Sequence, residues 1–158
     1  MTPPRVDLAP GYSIARVVKG GWQLAGGHGA VDRAAAIADM HAFVAAGFTT
    51  FDCADIYTGV EALIGAFVHE RGRADDLQIH TKYVPDRTQL GRLTARDVAA
   101  AVERSLTRLG VDAIDLVQFH WWDYDAPGAV DALGWLADQQ AAGRIRHRLN
   151  RGGNRRLN

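Results

Sequence analysis

Residues 51–59 read FDCADIYTG, residues 79–83 read IHTKY and residues 117–123 read VQFHWWD. Each stretch begins as a short run of β-branched and aromatic residues and ends in side chains capable of chemistry: Asp52 and Tyr57, then Lys82, then His120. The segments between them have helical spacing. Thr49–Asp52 is a predicted strand, followed by a helix over Val60–Glu70 with Leu63, Ile64, Phe67 and Val68 on one stripe and Gly72 beyond its end. Leu77–Lys82 is the next strand. Thr94 then caps a helix whose Val98, Ala101, Val102, Ser105, Leu106 and Leu109 recur every three or four residues before Gly110. Ile114–Phe119 is a further strand, Gly128–Ala142 a helix closed by Gly143, and Ile145 the opening of another strand. Upstream, Val6–Leu8 and Ile14–Val17 form a predicted hairpin through Pro10-Gly11, and Val17–Lys19 runs as a strand into Gly20-Gly21. Asp32 caps a helix through Ala46 that carries Ala36, Ile37, Met40, Phe43 and Val44.

Strands and helices that alternate in this way build a parallel sheet with right-handed crossovers. Both a (β/α)8 barrel and a doubly wound sheet begin so. A dinucleotide-binding doubly wound unit places G-x-G-x-x-G after its first strand, and the glycines of GGWQLAGGHG (20–29) are spaced differently. The sequence therefore predicts an α/β fold of the parallel (β/α)8 TIM-barrel type, with about the first four to five β/α units present. Residues 1–147 form the barrel domain, with the short hairpin at 6–17, and residues 148–158 form an Arg/Asn/Gly-rich tail expected to be unstructured.

A 47% hydrophobic and 23% charged composition is that of an ordinary globular chain. No apolar run approaches the roughly 18 to 20 residues of a membrane span, and the N-terminus has no secretory apolar segment. A cytoplasmic protein is expected, without a membrane. The zero net charge is unevenly laid out: all 18 acidic residues precede position 143, whereas six of the 18 basic residues fall in the last fifteen. That basic end has no aromatic residues for base stacking, so nucleic acid is not an expected partner. The lone Cys53 reads as a small core residue. No metal site is read.

In a (β/α)8 barrel the strand C-termini share one rim. Asp52, Tyr57, Lys82 and His120 would meet there as a carboxylate, a phenol, an amine and an imidazole. Such a set suits carbonyl reduction, in which hydride adds to carbon and a proton must reach the oxygen. A phenol is a weak acid, and a neighbouring ammonium makes it a stronger one. Tyr57 is thus the expected proton donor, Lys82 its tuner, Asp52 the residue that holds Lys82, and His120 the group that orients the substrate oxygen.

These residues resemble the catalytic tetrad of the aldo-keto reductase family. FDCADIYTGVEALIG (51–65) is similar to the family's second-strand signature, HTKYVP (80–85) carries its lysine, and RSLTRLGVDAIDLVQFHWWD (104–123) resembles its fourth-strand signature. The resemblance runs from about Ile14 to Arg146. It implies catalytic roles for Asp52, Tyr57, Lys82 and His120, and a nicotinamide cofactor, NADPH or NADH, near Gly21, Trp22 and Asp52. Trp22 and Trp121 are implied to line the pocket for a small carbonyl substrate. The function so implied is NAD(P)H-dependent reduction of aldehydes or ketones to alcohols.

GRIRH (143–147) follows the family pattern, and RLNRGGNRRLN (148–158) leaves it for arginine, asparagine and glycine, as an out-of-frame stretch would. A truncated barrel is expected to expose sheet edges and to leave Phe51, Ile79 and Val117 facing inward without an opposite wall. Self-association through an exposed edge, or a catalytically silent structural module, is the competing expectation.

Overall fold

A computed structural model describes residues 3–27 and 29–150. Two antiparallel strands lead, β1 (Arg5–Ala9) and β2 (Tyr12–Ala15). Five parallel strands follow: β3 (Lys19–Gly20), β4 (Thr50–Asp52), β5 (Gln78–Tyr83), β6 (Ile114–Phe119) and β7 (Ile145–Asn150). They lie side by side in chain order. A doubly wound sheet reverses its order at a switch point, whereas this sheet never does, so the chain forms part of a singly wound, barrel-type sheet.

Four helices make the crossovers: α1 (Arg33–Ala45), α2 (Val60–Arg71), α3 (Ala95–Leu109) and α4 (Ala129–Ala141). Their ends obey local chemistry. Asp32 accepts from the backbone N–H groups of Ala34 and Ala35, and Thr94 and Asp97 form a reciprocal capping box. Gly72 and Gly110 close α2 and α3 in the left-handed conformation that glycine adopts without strain.

Alternation along each strand sorts the side chains into two layers. Phe51 packs on Phe67 of α2, with ring centroids 5.5 Å apart, and Thr81 donates to Glu61 of the same helix at 2.7 Å. Ile79, Val117 and Phe119 are buried in the same helix-facing core. The expectation that Phe51, Ile79 and Val117 line the barrel interior is thus corrected: they point outward and are covered. The inward row holds Asp52, His80, Lys82, Leu116 and Gln118, which is largely polar. The leading hairpin closes its lower end. Tyr12 Oη hydrogen-bonds His80 Nε2 at 2.6 Å and stacks on His147 at 4.0 Å, and Tyr12 and Ile14 pack on Leu116.

β7 extends to Asn150, pairing Leu149 with Gln118 and Asn150 with Phe119, so residues 148–150, expected as the start of an unstructured tail, continue the strand that opens at Ile145. Arginine-rich composition is compatible with this edge position. Arg146 pairs with Asp115 at 3.3 Å and Arg148 Nε donates to Gln140 of α4 at 2.6 Å. The remainder of the expected tail, 151–158, lies outside the described residues.

Candidate active site

The C-terminal ends of β4, β5 and β6 converge as barrel geometry requires. In register, Asp52 lies opposite His80 and Lys82 opposite Gln118, so the inward side chains of three neighbouring strands share one patch. Lys82 Nζ donates to Asp52 Oδ2 at 2.5 Å and to the carbonyl of Cys53 at 2.7 Å. Lys82 is itself buried. An ammonium removed from water in this way needs such acceptors, because an unpaired buried charge is strongly unfavourable.

Tyr57 comes from the loop after β4, and a short chain of backbone hydrogen bonds shapes that loop: Tyr57 N to Ala54 O at 3.0 Å and Val60 N to Tyr57 O at 3.1 Å. Its ring lies 5.3 Å from Lys82 Nζ and 5.0 Å, edge to face, from Trp22. Asp52, Tyr57, Lys82 and Trp22 therefore form one group. His120 follows directly on β6. Its backbone N–H donates to Tyr83 O at 3.0 Å, continuing the ladder, so alternation puts it on the inward side with Gln118.

The two adjacent tryptophans separate as alternation demands. Trp121 is 3% exposed, packs on Phe119 and donates its indole N–H to Ala126 O, so it is a buried anchor and not a pocket wall. Trp122 is 37% exposed and meets His120 edge to face at 4.8 Å; its indole N–H is held by Pro85 O at 2.8 Å and Arg87 lies over its ring. Burial removes Trp121 from the pocket-lining place expected of it, and of the two tryptophans Trp122 is the one that meets His120. Gly21 is closely packed. Its N–H donates to Asp52 O, its carbonyl accepts from Leu24 N, and a Cβ there would lie 2.6 Å from Val60. Packing of the β3 end against α2 accounts for this glycine, and its backbone groups are already engaged.

Two features of the quoted motifs escaped the reading of the sequence. Gln118 donates from Nε2 to Asp52 Oδ1 at 2.6 Å. Asp55, between Asp52 and Tyr57, is held by the backbone N–H of Val84, and burial pushes its carboxyl up to about 7, with the nearby Glu61 adding to the rise. Cys53 is fully buried, and burial raises its thiol to about 12, as befits a core residue.

Asp55 supplies a pH test. Its folded-state proton affinity exceeds that of an unfolded aspartate, near 3.9, so the folded chain binds more protons between about pH 4 and 7 and loses stability as pH rises through that window. Three pH units correspond to an upper bound of about 4 kcal/mol. Asp55→Asn keeps an acceptor for Val84 and removes the charge. Urea unfolding is expected to show the variant gaining on the order of 2 kcal/mol or more over the parent at pH 8 and little at pH 4. An equal difference at the two pH values would contradict the buried carboxyl.

The chain is thus a partial parallel barrel that brings a lysine, a carboxylate and a tyrosine together at its rim, with His120 at the end of the next strand. Residues 16–148 match the model of the Aldo/keto reductase family, and the chain belongs to that family. An aldo-keto reductase of Mycobacterium sp. (strain MCS) is 33% identical over 134 residues, covering 84% of this chain and 43% of the relative. An NADP(+) aryl-alcohol dehydrogenase of Phanerodontia chrysosporium is 30% identical over 112 residues, covering 62% of this chain and 29% of the relative. The structure of a thermostable aldo-keto reductase in complex with the inhibitor epalrestat superposes with a TM-score of 0.80 at 28% identity, covering 98% of this chain and 56% of that one. The chain thus spans about half, or less, of the length of these relatives. No described helix is long and apolar enough to cross a membrane.

Proposed function

We propose that this chain carries the proton-transfer half of an NAD(P)H-dependent carbonyl reduction, taking aldehydes or ketones to alcohols. The observation that supports it best is the position of the Lys82 ammonium, held by Asp52 and the Cys53 carbonyl with the Tyr57 ring 5.3 Å away. The rim suits the nicotinamide end of the cofactor: the exposed ring of Trp22 offers a flat apolar surface beside polar groups at Asp52 and Tyr57. When bound, the reduced nicotinamide supplies the hydride. Tyr57 gives its phenolic proton to the carbonyl oxygen, Lys82 favours the phenolate left behind, and Asp52 keeps Lys82 in place. His120 donates a hydrogen bond to the same oxygen and aims it at Tyr57. Trp22 and Trp122 bound the substrate. NADPH is the preferred reading over NADH, supported by a relative named for NADP(+).

A cytoplasmic location accompanies this reading. The competing reading, a silent module that pairs with another chain, draws support from the unpaired outer edges of β3 and β7 among the described strands. Incubation with NADPH and a panel of aldehydes and ketones separates the two. Stoichiometric alcohol formation and loss of NADPH absorbance are expected from the first; a folded chain that forms no alcohol with any carbonyl tested would leave only the second.

A further inference from the structure

Asp52 has two carboxylate oxygens, and the structure gives them different partners. Oδ2 accepts from Lys82 on the next strand, while Oδ1 accepts from Gln118 Nε2 two strands away. Neighbouring strands lie roughly 4.8 Å apart, so this side chain reaches over β5 to the far side of Lys82. A side chain as long as glutamine's on the inward face of β6 can do so, and alternation puts position 118 there together with His120.

The consequence lies in what Asp52 is prevented from doing. A carboxylate with one free oxygen can rotate and offer either oxygen to an ammonium. With Oδ1 engaged, only Oδ2 faces Lys82, and the ammonium is drawn to the point where Oδ2 and the Cys53 carbonyl are both within reach. Two of its three N–H groups are then committed. The ammonium stays on the Tyr57 side of the patch because the carboxylate that anchors it cannot turn.

We propose that Gln118 is a positioning residue, acting through Asp52 to hold Lys82 toward Tyr57. The inference rests on the proposed reductase reading, since it assigns Gln118 a part in that reaction. Its amide is neutral, so it fixes the carboxylate without competing with the lysine for it as a second cation would. A glutamate at 118 would present a second carboxylate and a methionine no donor, although both are similar in length to glutamine.

The test uses the isotopically labelled chain and needs no turnover. In the parent, the Lys82 ammonium is expected to give a slowly exchanging 15N–1H signal, and the Gln118 amide a resonance shifted by its hydrogen bond. In Gln118→Met, exchange of the Lys82 ammonium protons is expected to accelerate by about tenfold or more, the value of one hydrogen bond to a charged group. Gln118→Asn, one methylene shorter, should behave like the methionine variant. A packing role alone would lower the melting temperature and leave the Lys82 signal unmoved, and that outcome would overturn the proposal. Should the Met and Asn variants not fold, an unshifted Gln118 amide in the parent would overturn it equally. The reductase reading has its own independent readout: an unmoved Lys82 signal in a chain that forms alcohol removes only the inference, and a moved signal in a folded chain that forms none removes the reaction Gln118 was assigned to serve.

Discussion

Tyr57→Phe is expected to lower kcat for carbonyl reduction by between about 10²- and 10⁴-fold, the range general acid catalysis contributes. The substitution removes one oxygen. The ring keeps its edge contact with Trp22 at 5.0 Å and its place beside Lys82 Nζ at 5.3 Å, so the packing that shapes the rim survives. Cofactor affinity and KM should accordingly change by no more than about threefold, because an interaction needed only in the transition state has been lost. Steady-state kinetics together with direct titration of NADPH tests both halves. Turnover near the parental rate would show that another group delivers the proton. A parallel collapse of NADPH affinity would instead make Tyr57 a binding residue.

That Asp52, Tyr57 and Lys82 lie together was legible from the sequence because strand-end residues in a parallel barrel share a rim whatever the details of packing. Asp52, Tyr57 and Lys82 needed only that rule. That rule does not decide which side of each strand a residue takes; the period of two, counted outward from the polar residues, does. Once Asp52 and Lys82 point inward, Phe51 must point out toward α2; by the same count Gln118 and His120 share a face and Trp121 turns away from it. Three observations follow from that one step: the outward packing of Phe51, Ile79 and Val117, the burial of Trp121 with Trp122 beside His120, and the hydrogen bond from Gln118 to Asp52. Gln118 stood inside the quoted VQFHWWD, two residues before the histidine.

β7 was obscured for another reason. RIRHRLN offers few β-branched residues, and strand propensity is set as much by neighbours as by type. His147 finds Tyr12 beneath it, and the arginines reach Asp115 and Gln140 on the other side. Charged side chains are compatible with the edge of a sheet, where they also discourage unwanted pairing.

The last glycine of FDCADIYTGVEALIG yields the largest stability effect expected here. Gly65 sits in the middle of α2, where glycine ordinarily weakens a helix by roughly 0.5–1 kcal/mol relative to alanine. Its place is explained by α3, which crosses so closely that a Cβ on residue 65 would stand 2.1 Å from Arg108 O and 3.0 Å from the carbonyl carbon of Leu109. Those neighbours are backbone atoms in the last turn of α3 and cannot swing aside. Relief to ordinary contact requires a retreat of about 1 Å by a helix that buries Val98, Ala101, Val102, Leu106 and Leu109. Overpacking of this kind usually costs about 1–3 kcal/mol, and the rigidity of the obstacle puts Gly65→Ala at or above the upper end. For a chain of this size that corresponds to a fall in Tm of roughly 6–12 °C. Gly134 provides the opposite case, since it lies in α4 with nothing within 4 Å of its would-be Cβ. Gly134→Ala should therefore stabilise by roughly 0.5–1 kcal/mol. Calorimetry on the two single variants measures both signs at once. A neutral or stabilising Gly65→Ala would mean that α2 and α3 do not cross at this distance, and with it the helix layer that holds Glu61, Arg108 and the underside of the rim would need to be redrawn.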